Sequence, residues 1–252
     1  MLSALKTKKQ SWSIVVICYN EAAEVRHVIE SAQRVLDKIA NQQKEIVVVD
    51  DGSRDGSAEI LMEIGEKNKR VRVVSHPANL GIGQAIRSGY RNALHENVCV
   101  IPADGQFDPR ELIDFSVIEK KTFISFYRKK QDGYNLFRRF ISRVNNWINR
   151  NILGIRLKDV NWVKAFKMDE IRILDLKLES SLVASEVCAK LILRGNQYIE
   201  AVSTYHRRKS GQAKGGSFKT VWKALIDTYK LICVVLKYKR ELQSGAGKRR
   251  KV

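Results

Sequence analysis

Between Ser13 and Phe126 the chain alternates short, unbroken apolar runs with segments of helical period. The runs are Ser13–Cys18, Glu45–Val49, Val71–Val74, Asn97–Ile101 and Thr122–Phe126. Between the first two, Val25, Val28, Ile29, Ala32, Leu36 and Ile39 share one face of a helix over Ala22–Ile39. Ser57–Ile64, Gly83–Leu94 and Arg110–Ile118 read as further helices. Strands that are apolar at consecutive positions, not at every second one, are buried on both faces. Strand-helix-strand order then demands a mostly parallel α/β central sheet flanked by helices. In such sheets ligands bind beyond the carboxyl ends of the strands. Three loops lie there: Tyr19-Asn20-Glu21, Asp50 to Gly56, and Pro102 to Asp108.

After Phe126 the pattern loosens. Tyr134–Ile152 reads as one long helix, Trp162–Lys167 as a short strand pair, Ser181–Arg194 as a helix ending at Gly195, and Gln197–Val202 as a strand. Gly211–Gly216 is a Gly/Lys loop, and Gly247–Val252 a basic tail. From Phe218 to Tyr238, the residues Val221, Trp222, Leu225, Ile226, Tyr229, Ile232, Cys233 and Leu236 form an apolar stripe. Lys219, Lys223, Lys230, Lys237 and Lys239 flank it. A basic amphipathic helix of this kind either lies in a membrane interface or docks on its own domain. The expected organisation is one domain over 1–217, with halves 1–126 and 127–217, and a helical extension with a basic tail over 218–252.

Charge divides the chain in the same place. Residues 1–110 hold 15 Lys and Arg against 14 Asp and Glu, a net of +1, whereas residues 111–252 hold 31 against 13, a net of +18. The second half therefore expects an anionic partner: nucleic acid, a phosphorylated substrate or an anionic membrane surface. No basic motif interleaved with aromatics supports nucleic acid, so none is expected as a partner. The four cysteines, Cys18, Cys99, Cys188 and Cys233, lie far apart with no C-x-x-C and read as reduced thiols. Neither a signal peptide nor an unbroken apolar span is present, so the expected location is the cytoplasm.

The loops carry the chemistry. Val47-Val48-Val49 runs straight into Asp50-Asp51-Gly52-Ser53. Turn and cap chemistry accounts for Ser53 and Asp55, but not for the adjacent pair Asp50-Asp51. Carboxylates at a strand end accept hydrogen bonds from a base or ribose, or hold a metal.

Cys18-Tyr19-Asn20-Glu21, Val49-Asp50-Asp51-Gly52-Ser53 with Asp55-Gly56-Ser57, Asn79-Leu80-Gly81 with Ala85 and Gly89, and Ala103-Asp104-Gly105-Gln106 occur in this order. Together they resemble the family 2 glycosyltransferases of the GT-A (Rossmann-like) fold over residues 12–126. The resemblance implies an inverting hexosyltransferase with a nucleotide-sugar donor (UDP- or GDP-hexose) and a divalent metal, Mg2+ or Mn2+. It implies nucleotide-sugar contacts from Tyr19, Asn20, Glu21, Asp51, Gly52, Ala103 and Asp104. Asp50 would support its loop, and Gly81 and Ala85 would line the ribose side. The family's metal loop usually reads Asp-x-Asp, and here Pro102 stands at the first position. Asp104 and Gln106 remain as metal ligands, which Mg2+ tolerates because it keeps waters and donor phosphates.

Arg138-Arg139-Phe140-Ile141-Ser142 with Asn146, Asp159 with Lys164-Ala165-Phe166, and His206-Arg207-Arg208 with Gly211, Ala213 and Lys214 resemble the dolichyl- and undecaprenyl-phosphate sugar synthases. That resemblance implies a polyprenyl phosphate acceptor, held by Arg138, Arg139, Ser142, Arg143, Arg207, Arg208 and Lys214. Catalytic roles would fall to Asp104, Arg128, Arg139, Asp159, Glu186 and Arg208. Chemistry points the same way, because a phosphate is already ionised at neutral pH and needs cations, not a base. A hydroxyl acceptor would need one, and Glu186 is the residue offered. Two alternatives stay open: transfer to a sugar or glycan hydroxyl, and a chemically impaired protein that binds lipid or nucleotide. Membrane contact would come from the amphipathic helix or from a separate membrane protein partner, with the enzyme peripheral on the cytoplasmic face.

Overall fold

The computed structural model describes residues 9–129, 147–206 and 218–245. Seven strands form one sheet: β1 (Trp12–Cys18), β2 (Lys44–Asp50), β3 (Val71–Ser75), β4 (Asn97–Pro102), β5 (Thr122–Arg128), β6 (Lys164–Lys167) and β7 (Gln197–Ser203). Their order is β3-β2-β1-β4-β6-β5-β7. β1 pairs parallel with β2 and β4, and β2 parallel with β3. β6 is the reversed strand, antiparallel to both β4 and β5, while β7 runs parallel to β5.

Register places the site. Cys18 lies opposite Asp50, and Ile17 opposite Pro102. The chain therefore leaves β1, β2 and β4 at neighbouring points of one sheet edge. Two more hydrogen bonds extend the ladder past the strands: the Asp51 amide donates to the Cys18 carbonyl at 2.9 Å, and the Ala103 amide to the Ile17 carbonyl at 2.9 Å.

Helices cover both faces, which is why the strands are apolar throughout. α1 (Val25–Ile39) and α2 (Ser57–Lys67) pack with Ile14, Val16, Ile46 and Val48 on one side. On the other side α3 (Ile82–Asn92) and α5 (Val183–Leu193) pack with Val15, Val47 and Val49. The C-terminal helix α6 (Phe218–Gln243) joins this second layer by burying Leu231 and Val235. Cys18, Cys99 and Cys188 are buried free thiols and Cys233 is an exposed one. Burial pushes the Cys18 thiol up to about 12, so it is no nucleophile at neutral pH. None of the described helices is long and apolar enough to cross a membrane.

Two elements depart from expectation. The helix expected over Arg110–Ile118 is a 3-10 helix, Pro109–Phe115. Pro109 starts it, and the Asp108 side chain caps it by accepting from the Arg110 amide at 2.9 Å. The strand pair expected over Trp162–Lys167 is the single strand β6, which finds its partners in β4 and β5 and runs directly into the short helix α4 (Met168–Arg172). Most of the helix expected over Tyr134–Ile152 lies outside the described residues, and 147–151 is helical.

Gly83 is packed tightly against neighbouring backbone. A Cβ there would stand 2.1 Å from the Glu179 carbonyl oxygen and 2.3 Å from that of Ser180. Backbone on both sides leaves no flexible neighbour to yield. Gly83→Ala is expected to lower stability by about 1–3 kcal/mol, read as a lower urea midpoint at unchanged slope.

Candidate active site

The first two loops hold each other through short polar side chains. Asn20 adopts a left-handed φ of 56°, which Asn tolerates better than most residues. Its amide donates to Ser53 Oγ at 3.0 Å, and its Oδ1 accepts from the Arg54 amide at 2.8 Å. The Glu21 amide donates to Ser57 Oγ at 2.9 Å, and the Ala22 amide to Asp55 Oδ2 at 3.0 Å. Asp50 is buried and turned into its own loop, where Oδ1 accepts from the Ser53 amide and hydroxyl at 3.1 and 2.5 Å. Tyr19 and Glu21 sit beside this clasp, Tyr19 half-buried and Glu21 buried.

Asp51 ties in the third crossover. Its carboxylate is buried and accepts from the Leu80 amide at 2.9 Å, the Gly81 amide at 2.9 Å and His76 Nδ1 at 2.7 Å. His76 is itself held, with Nε2 2.9 Å from Ser88 Oγ on α3. Gly52, at a φ of +71°, touches the same segment: a Cβ there would stand 2.5 Å from the Ala78 carbonyl carbon. Only glycine meets both requirements.

The loop after β4 faces a second cluster. Asp104 is half-buried and its Oδ1 accepts from the Gln106 amide at 3.1 Å. Burial raises its carboxyl above the usual carboxylate range; the Gln106 amide opposes this and the Glu24 carboxylate adds to it. Glu24 comes close, with Oε2 3.2 Å from where a Cβ on Gly105 would stand. Gln106 Nε2 donates to the Tyr205 hydroxyl, and its carbonyl accepts from the His206 amide at 3.1 Å. Tyr205 packs beside Trp162, their ring centroids 5.8 Å apart. The Arg128 guanidinium lies over both rings, 4.5 Å from Trp162 and 5.9 Å from Tyr205. It also forks onto Asp159, Nε to Oδ2 at 2.8 Å and Nη2 to Oδ1 at 3.3 Å. A contiguous network thus joins Asp104 to Arg128 and Asp159.

A divalent cation suits this loop. Among the described residues no group of three or more His, Cys, Asp or Glu side chains is arranged to cage a metal. Yet the half-buried Asp104 carboxyl, with Glu24 close to Gly105, is a hard-oxygen donor set of the kind Mg2+ and Mn2+ accept alongside water and phosphate. Gln106 has its amide nitrogen committed to Tyr205, so a metal ligand from this side chain would have to be its amide oxygen.

Two expected site residues need correction. Glu186, expected at the acceptor pocket or as a base, is fully buried. It accepts from the Lys177 amide at 2.8 Å, the Leu178 amide at 2.8 Å and Lys190 Nζ at 2.6 Å. With every oxygen engaged it is a structural carboxylate that folds the 175–178 segment onto α5. Ala85, expected on the ribose side, is fully buried with Val15, Val47 and Val49. Helical period carries its side chain under α3, towards the sheet. Ala103 is likewise buried, and its amide is engaged by the Ile17 carbonyl. Arg138, Arg139, Ser142, Arg143, Asn146, Arg207, Arg208 and Lys214 lie outside the described residues. Sequence reading missed His76, Trp162 and Tyr205 as site residues. Their only signal was position: Tyr205 next to His206-Arg207-Arg208, Trp162 two residues before Lys164, and His76 just past β3.

Comparison with known proteins bears on the same residues. The model of the family described as Glycosyl transferase family 2 matches residues 13–174. A dolichyl-phosphate beta-glucosyltransferase of Trichomonas vaginalis is 30% identical over 113 residues, 43% of this chain and 33% of that protein. An undecaprenyl-phosphate 4-deoxy-4-formamido-L-arabinose transferase of Edwardsiella ictaluri is 28% identical over 214 residues, 83% of this chain and 64% of that one. The chain thus spans from a third to just under two thirds of the length of these relatives. Among solved structures, glucosyl-3-phosphoglycerate synthase from Mycobacterium tuberculosis, in complex with Mn2+, uridine-diphosphate-glucose and phosphoglyceric acid, superposes with a TM-score of 0.63. At 16% identity, covering 91% of this chain and 80% of that one, it shares the fold.

Removing one partner of a buried ion pair strands the other charge. Glu186→Ala is expected to cost about 3–5 kcal/mol, measured by chemical denaturation. The apolar pair Glu186→Leu with Lys190→Met is expected to restore most of the loss, which separates a structural role from a catalytic one.

Proposed function

Because this chain belongs to glycosyl transferase family 2, we propose that it moves a hexose, with inversion, from a uridine- or guanosine-diphosphate sugar to a polyprenyl phosphate. The observation that carries the acceptor class is the burial of Glu186. A hydroxyl acceptor needs a base near the anomeric carbon, and the carboxylate that the sequence offered is consumed by Lys190 and two backbone amides. A phosphate acceptor is ionised already and asks for cations. That the dolichyl- and undecaprenyl-phosphate transferases are among the relatives supports the same choice.

In this reading Tyr19, Asn20, Glu21 and Gly52 frame the nucleoside. Asp50 positions its own turn. Asp51, expected as a nucleotide contact, is buried and engaged by His76 and the Leu80 and Gly81 amides, so it acts by positioning that backbone, which faces the ribose. Asp104, with Gln106, holds the divalent metal, and Glu24 lies near enough to share that duty in place of the carboxylate lost at Pro102. When bound, the metal neutralises charge on the leaving nucleoside diphosphate. An acceptor phosphate oxygen attacks the anomeric carbon from the face opposite the leaving group. Arg128 reaches this region already paired with Asp159, so its charge is compensated and its geometry fixed. The cations assigned to the acceptor phosphate are then Arg138, Arg139, Arg143, Arg207, Arg208 and Lys214, all outside the described residues. The enzyme works as a peripheral protein on the cytoplasmic membrane face, where its lipid acceptor resides.

The test is a donor panel incubated with undecaprenyl or dolichyl phosphate and Mg2+ or Mn2+, with products read by mass spectrometry. A lipid-linked phosphosugar is the expected product. Asp104→Ala is expected to cut turnover by at least about a hundredfold, and a chelator to do the same reversibly. Product on a sugar hydroxyl and none on the lipid phosphate overturns the acceptor class.

A further inference from the structure

The sequence offers α6 a choice between docking on the domain and lying in a membrane, and the structure makes the two compatible. Leu231 and Val235, four residues apart, are 1% and 2% exposed and belong to the second core layer. Tyr238 completes that face: Lys190 Nζ lies 5.1 Å from its ring, and its hydroxyl accepts from Arg194 Nη1 at 3.4 Å. This arc holds the helix on α5. A different arc carries the exposed apolar side chains. Leu225 is 57% exposed, Ile226 43%, Tyr229 69% and Leu236 37%. Leu225, Tyr229 and Leu236 follow spacings of four and seven, so they stack along one side. Exposed Cys233 lies beside them.

We propose that this outward arc of α6 is a docking surface for an anionic lipid bilayer. Lys230, Lys237, Lys239 and Arg240 are all exposed and border the apolar arc. Over 225–243 they stand against only Asp227 and Glu241. Apolar side chains ringed by long cationic ones suit the boundary between acyl chains and anionic headgroups, where the stems sink and the charges stay wet. Charge also selects against a second copy of the chain. Two such helices laid face to face would bring cations against cations, in a half of the protein that already carries +18 of the net +19. The inner arc gives the surface its purpose. The helix is anchored on α5, whose Glu186 and Lys190 fix the 175–178 segment, so a bilayer on the outer arc sits at a set position relative to the sheet. The inference deepens the peripheral-membrane part of the proposed function, while its observations do not rest on the transfer chemistry.

Flotation of the full chain with phosphatidylcholine vesicles, with and without phosphatidylglycerol, tests it. Binding is expected only with phosphatidylglycerol, and it weakens with added salt. The double variant Leu225→Asp with Tyr229→Asp is expected to lower the bound fraction about tenfold or more at an unchanged melting temperature, since both side chains are exposed. Lys230→Glu with Lys237→Glu is expected to erase the preference for anionic vesicles. Wild-type protein that ignores both vesicle types, or a Leu225/Tyr229 variant that floats like wild type, overturns the proposal. So does light scattering that shows a wild-type dimer split by the same variant. Turnover on a water-soluble short-chain polyprenyl phosphate is read in parallel and is expected to be untouched by these variants. Its absence in wild type would sink the transferase reading and leave the flotation result standing.

Discussion

A carboxylate buried at the end of a parallel strand has to find donors within the protein, and Asp51 finds them on the next crossover. The Leu80 and Gly81 amides and His76 satisfy it, and Ser88 holds His76 from α3. A buried charge left without these partners would cost several kcal/mol, roughly the size of a domain's margin. The crossover from β3 to α3 is therefore fixed relative to β2, and α3 is fixed against the sheet. Gly83 and Ala85, close to that junction, leave no slack: one abuts the backbone of 179–180 and the other is sealed in the core.

The same economy of donors and acceptors recurs on the far side of β4. Gln106 reaches Tyr205, Tyr205 packs on Trp162, and Arg128 lies across both while gripping Asp159. Residues from β5, from the 155–163 segment and from the end of β7 are thereby held to the Asp104 loop. The reversed strand β6 makes this meeting feasible. It inserts between β4 and β5, so the segment before it returns to the carboxyl end of β4, where Asp104 sits.

Much of the donor half was legible because its signals are local. Continuous Val/Ile runs mean strands covered on both faces, and helical spacing between them means crossovers; neither depends on distant partners. The acid-rich loops were legible because strand ends in a parallel sheet are where ligands collect. The 3-10 helix was misread because apolar spacing over so short a stretch does not separate it from an α-helix. β6 was misread as half of a local pair because a strand of four residues carries no sign of partners from other parts of the chain.

Glu186 shows where local reading stops. One turn of helix separates it from Lys190, a spacing equally consistent with an exposed pair, a pocket base or a buried bridge. Which of these holds depends on the 175–178 backbone folding over it, and no residue within the helix encodes that. The two arcs of α6 are a similar case: the sequence determined that the helix is amphipathic and cationic, since that follows from period and composition alone. Only the tertiary structure decided that Leu231 and Val235 face α5 while Leu225 and Tyr229 face out. Burial is a property of what packs against a side chain, and that neighbour lies elsewhere in the chain.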